Sequence, residues 1–148
     1  MLRKEDMAQP ELFVELLFST KDPRGRHQDY VRFVVERGEL RYTNVADRDN
    51  TIRKSMMLGE AVLAEIARLV DASEVLECSD RDWPRPDSEG AQELEVRLGR
   101  RHVQLRTRHL ASAGKIDDAS LKSFFYATQD LKGLFLNLIA VHFKRKPL

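Results

Sequence analysis

The sequence predicts an α+β fold of two layers: an antiparallel β-sheet of about six strands with helices packed on one face, including a long C-terminal helix. Three observations carry this. Several short stretches alternate apolar and polar residues, so each strand has one dry and one wet side. Two stretches instead repeat apolar residues at helical spacing. The order along the chain is strands, helix, strands, helix, which leaves the helices to cover one sheet face.

The polar residues 1–10 end at Pro10 and are expected to form a flexible tail, with 11–148 as a single domain. Glu11–Thr20 places Leu12, Val14, Leu16 and Phe18 on one face. The segment KDPRGRH (21–27) reads as a turn through Pro23 and Gly25. Gln28–Arg37 alternates Val31, Phe33 and Val35 with Tyr30, Arg32 and Val34. Gly38 stands where a tight hairpin needs positive φ, and Glu39–Val45 is the returning strand. After the polar loop at 46–50, Thr51–Met57 is read as a short strand.

Gly59–Ala72 reads as a helix, with Val62, Leu63, Ile66, Leu69 and Val70 on one stripe, Gly59 at its N-cap and Glu60 suiting the dipole. Ser73–Ala91 is irregular, and Pro84 and Pro86 exclude regular structure there. Trp83 is expected to anchor this stretch onto the domain; an exposed contact role is the alternative. Gln92–Leu98 and His102–His109 form a second hairpin around Gly99, with Glu93, Glu95, Arg97, Gln104 and Arg106 on its wet side. Asp117 or Asp118 caps the last helix, which ends in Lys144, Arg145 and Lys146 and is stopped by Pro147.

The last helix, Ala119–Phe143, is more apolar than a helix with one buried side requires. Lys122, Gln129, Asp130, Gly133 and Asn137 share a narrow wedge, and the apolar arc spans roughly 200° where about 100° suffices. Phe125, Leu136, Ile139 and Phe143 are expected to face the domain. A second stripe, Phe124, Ala127, Leu131, Leu134, Leu138 and Val141, is expected to face away from the sheet toward a partner. A helix buried within the domain on both sides is the alternative.

Chemistry is sparse in this sequence. The formal net charge is +1, so no global pull toward nucleic acid or anionic membrane follows. Cys78 is the only cysteine, which leaves no internal disulfide and fits a reducing compartment. The N-terminus lacks the apolar core of a signal peptide, and no apolar run reaches membrane-span length. His27, His102, His109 and His142 lack companions at ligand spacing, and the run Asp80, Asp82, Asp87, Glu89 lacks the spacing of a calcium loop. No nucleophile elbow or phosphate loop occurs, so neither an enzyme nor a cofactor is expected. Arg97, Arg100, Arg101, His102, Arg106, Arg108 and His109 crowd the second hairpin. They read either as a solvated face balanced by Glu93 and Glu95, the favoured reading, or as a phosphate-contacting patch.

Five stretches, in collinear order, carry a resemblance: GELRYTN (38–44), TIRKS (51–55), WPRPD (83–87), QELEVRLG (92–99) and QDLKGLFLNLIAVHFKRKPL (129–148). They resemble the Mago nashi family, the small adaptor subunit of the exon junction complex, and the likeness covers about residues 11–148. The resemblance implies a non-catalytic adaptor that covers the β-sheet face of an RRM protein with its helices, forming a heterodimer. That heterodimer then stabilises a DEAD-box ATPase on spliced mRNA. The roles implied are mRNA processing, localisation or transport, and surveillance by nonsense-mediated decay, in a nuclear protein shuttling to the cytoplasm. A disassembly factor and a nuclear import receptor are further implied partners, with RNA touched only indirectly and no membrane. Phe124, Ala127, Leu131, Leu134, Leu138 and Val141 would meet the RRM protein, and Pro147 and Leu148 the ATPase. The alternative function is direct RNA binding through the basic second hairpin. The sequence departs from the family pattern in the loops at 21–27 and 46–50, at Arg85 after Trp83, and at Arg145.

Overall fold

The computed structural model describes residues 11–21, 28–46, 50–110 and 118–144. The strands are β1 (Leu12–Lys21), β2 (Gln28–Glu36), β3 (Glu39–Val45), β4 (Thr51–Met57), β5 (Gly90–Leu98) and β6 (Arg101–Arg108). Among the described residues the helices are α1 (Glu60–Ala72) and α2 (Ala119–Lys144), with a 3-10 turn at Val75–Glu77. The six strands form one sheet in the order β4-β3-β2-β1-β5-β6, every neighbouring pair antiparallel. The predicted α+β class therefore holds, and strand boundaries move by only a residue or two.

Register explains why the sheet has a single dry face. Val14 stands between Val35 and Val96, and Leu16 between Phe33 and Leu94. The row continues from Val35 to Leu40 on one side and from Val96 to Val103 on the other. All of these side chains are buried. A slip of one residue would turn every one of them to water, so burial of this row fixes the register. The opposite face carries Glu15 beside Arg32, Glu93 beside Arg106, and Glu95 beside His102 and Arg97.

Two turns set the hairpins. Arg37 and Gly38 both have positive φ between the paired Glu36 and Glu39, the type I′ geometry whose twist matches the strands. Gly99 alone has positive φ at the β5–β6 turn, as a type II′ turn requires at its first central residue.

The helices cover the dry face. α1 buries Ile66, Ala67 and Val70. α2 stacks Phe135 on Phe33 with ring centroids 5.4 Å apart, and Phe33 also meets Tyr42 at 5.3 Å. Lys132 reaches over the Phe18 ring, and Lys54 of β4 lies over Phe143, so α2 is tied to both the middle and the β4 edge of the sheet. Between sheet and helix, Gln92 is fully buried. It donates to the Thr128 hydroxyl at 2.8 Å and accepts from the Leu110 N–H at 3.3 Å. Thr128 in turn donates to the Phe125 carbonyl. Each buried polar atom here has a partner, so the bridge orients α2 without leaving an orphaned group.

Candidate protein-binding face of the C-terminal helix

α2 begins at a well-made cap. Asp118 accepts from the Leu121 N–H at 2.9 Å and from the Ser120 hydroxyl at 2.6 Å. The Ser120 hydroxyl, and then the Leu121 N–H, hold the Asp118 carboxyl below its ordinary pKa. Of the two aspartates expected as caps, Asp118 does the work; Asp117 lies outside the described residues. Ser120 also accepts from the Trp83 indole N–H at 3.0 Å, and the Trp83 ring meets Phe124 at 4.9 Å. Trp83 is thus buried, as an anchor for the long irregular stretch.

That anchoring corrects the division of α2 into two faces. Phe124, Ala127 and Leu131, expected to face away from the domain, are buried in its core. The flank that periodicity left for a partner is occupied in this half of the helix by the chain's own Trp83 and the segment around it. Leu134 and Leu138 are half-buried against the core, and only Val141 of the six stripe residues is exposed, at 45 %. Leu136, expected to face the domain, is instead 39 % exposed. Phe125 and Ile139 are buried as expected, and Phe143 is half-buried. The reading of α2 as buried on both flanks therefore holds for its N-terminal half. Pro147 and Leu148 lie outside the described residues.

The outward side of α2 is the wedge of Lys122, Asp130, Gly133 and Asn137, broadened by Tyr126, Leu136, Ala140 and Val141. Tyr126 is 52 % exposed. In the C-terminal half the strip is mostly apolar or small. Gly133 lies at its centre, and a Cβ built there would meet nothing within 4 Å. Periodicity placed Gly133 and Asn137 correctly but passed over Tyr126 and Leu136. The signal for both was available, since each falls within about one residue's rotation of the polar wedge.

The basic hairpin is largely compensated. His102 meets Glu95 at 2.7 Å, Arg97 approaches the same carboxylate at 3.6 Å, and Arg106 lies 3.4 Å from Glu93. Arg101 pairs with Asp71 of α1 at 2.9 Å and holds that carboxyl below its ordinary pKa. Arg100, Arg108 and His109 are exposed. Among the described residues, no three His, Cys, Asp or Glu side chains are grouped to hold a metal ion, and no helix is long and apolar enough to cross a membrane.

The family model described as "Mago nashi protein" matches residues 19–148. The Arabidopsis thaliana protein named "Protein mago nashi homolog" is 43 % identical over 119 residues, covering 76 % of this chain and 79 % of that protein. With nearly the whole chain matched by the family model, the protein belongs to the Mago nashi family.

Proposed function

We propose that this chain, in its Mago nashi-type role, is a non-catalytic adaptor of the exon junction complex. It forms a heterodimer with an RRM protein by covering that protein's β-sheet face with α2, and with it stabilises a DEAD-box ATPase on spliced mRNA. On this reading the protein is nuclear, shuttles to the cytoplasm, and serves mRNA processing, transport and nonsense-mediated decay. The disassembly factor, the import receptor and the Pro147–Leu148 contact with the ATPase belong to the same proposal, which gives the chain no catalytic step.

One observation carries the partner contact. Gly133 lies inside a long helix, exposed, with open space where its Cβ would be. Glycine at a helix interior costs about 0.5–1 kcal/mol relative to alanine. Among the described residues nothing approaches the space left by the missing side chain, which supports a use outside the chain. A partner surface approaching the α2 backbone closely supplies one. Tyr126, Leu136, Ala140 and Val141 surround Gly133 with the apolar contacts such a surface would bury. Leu134 and Leu138 flank them. The direct RNA reading has less support, because Arg97, His102 and Arg106 already face carboxylates.

The test separates fold from partner. Gly133→Ala is expected to raise the stability of the free chain by about 0.5–1 kcal/mol in urea unfolding. Gly133→Leu is expected to fold with an unchanged circular dichroism spectrum and to lose co-purification of the RRM protein. Retention of the partner by Gly133→Leu, at wild-type yield, would sink the proposed contact.

A further inference from the structure

The two edges of the sheet are treated differently. In β6 the outward backbone groups are met by the chain itself: the Arg106 N–H donates to the Asp80 carboxylate at 2.8 Å, and the Arg108 N–H to the Pro84 carbonyl at 3.2 Å. The Trp83 stretch thus closes that edge. At β4 the described residues offer no such cover. The β2–β3 hairpin closes on the Glu36–Glu39 pair, so Leu40, Tyr42 and Asn44 turn their backbone groups toward β4. Met56, Lys54 and Ile52 answer them, and the Leu58 N–H continues the ladder to the Gly38 carbonyl at 2.8 Å. The N–H and C=O groups of Arg53 and Ser55 therefore point away from the sheet. All of β4 except Met56 is exposed, with apolar Ile52 and Met57 near its two ends.

We propose that the free edge of β4 is a second docking site, which accepts an extended acidic segment of another polypeptide as an added strand. Open edge pairing supplies the affinity, through the backbone groups of Arg53 and Ser55. Charge supplies the choice of occupant. The strand TIRKSMM carries two cations and no acid, and strand alternation puts Arg53 and Lys54 on opposite faces. Two adjacent carboxylates on the incoming strand would answer one cation on each face. A second copy of this chain fits poorly. It offers no carboxylate to answer Arg53 and Lys54, and antiparallel self-pairing centred on either residue sets like charges directly opposite, which is destabilising. Lysines and arginines on an edge can also serve merely to deter pairing. Here Lys54 lies over the Phe143 ring at 4.6 Å while remaining exposed, so it leaves the backbone edge open and its charge within reach of an incoming strand. Arg53 and Ser55 belong to β4 and the outward strip to α2, so the two surfaces can be altered separately.

The probe is a fluorescein-labelled peptide with two adjacent glutamates, flanked on each side by valine and threonine, read by fluorescence anisotropy. The wild-type chain is expected to bind it. Ser55→Pro removes one outward N–H at an edge position where proline spares the β3–β4 ladder. Arg53→Glu reverses one charge. Each is expected to weaken binding by roughly tenfold or more, with co-purification of the RRM protein retained. The same peptide, N-methylated at alternate residues, is expected to lose binding to the unaltered protein; this readout does not depend on how Ser55→Pro folds. Absence of binding to the wild type would overturn the proposal. So would equal binding of the methylated peptide, which would reveal charge attraction without strand pairing. Sedimentation showing wild-type self-association that Ser55→Pro abolishes would also overturn it, by identifying a second copy as the occupant.

Discussion

A Cβ at position 90 would stand 2.0 Å from the Ser19 carbonyl oxygen, and Gly90 has φ +138°. Both facts disfavour every other residue, because the β1 backbone at Ser19 and Thr20 fills the place a side chain would take where Thr20 pairs with Gly90. Gly90→Ala is therefore expected to destabilise the fold by about 2–4 kcal/mol, read as a lower midpoint in urea. A change under about 0.5 kcal/mol would mean that β1 shifts freely there. The same residue scale shows what a lone sequence hides. Gly38 is legible as a hairpin residue because strands flank it on both sides. Gly90 follows a proline-rich stretch and reads as one more loop glycine, since the carbonyl that excludes a side chain belongs to a strand far away in sequence. Gln92 is hidden for the same reason: its partner, Thr128, is on another element.

Among the elements, β1–β6 and α1 were legible because their periodicities are local. The assignment of α2's flanks was not. A wheel shows which residues are apolar, but not whether the surface that covers them comes from the same chain. Trp83 decides the matter in the N-terminal half of α2, and its contacts can be tested. Trp83→Phe keeps a ring against Phe124 but removes the bond to Ser120 and part of the buried ring volume, so a loss of about 1–3 kcal/mol is expected. Trp83→Ala also vacates the ring site and is expected to cost about 3–5 kcal/mol. It should in addition release the Arg106 and Arg108 amides at the β6 edge, since the stretch that covers them hangs on this indole. Hydrogen exchange at those two amides measures the effect. Unchanged protection in Trp83→Ala would show that Asp80 and Pro84 hold the edge unaided.

At the scale of the whole molecule, the sheet and the helices present surfaces of opposite character. The outer sheet face joins cations and carboxylates in cross-strand pairs, and each exposed pair contributes little to stability, typically about 0–1 kcal/mol. What the pairs do is cancel the local field, in keeping with a formal net charge of +1 for the whole chain. The helix layer instead exposes an apolar strip around Gly133. These two surfaces respond differently to salt. Phosphate contacts release counterions, so RNA affinity through the hairpin would fall steeply and linearly in log salt. Burial of Tyr126, Leu136 and Val141 involves no such release. The proposed heterodimer with an RRM protein is therefore expected to keep its affinity within about threefold between roughly 0.1 and 0.5 M salt, where exposed charges are largely screened. Titration calorimetry across that range checks it. A decline of a hundredfold or more would place the partner contact on charged groups and move the docking surface from α2 to the outer sheet face. Any binding of single-stranded RNA by the chain alone should disappear over the same range and should weaken in Arg100→Glu, which alters the exposed turn of the hairpin and leaves α2 untouched.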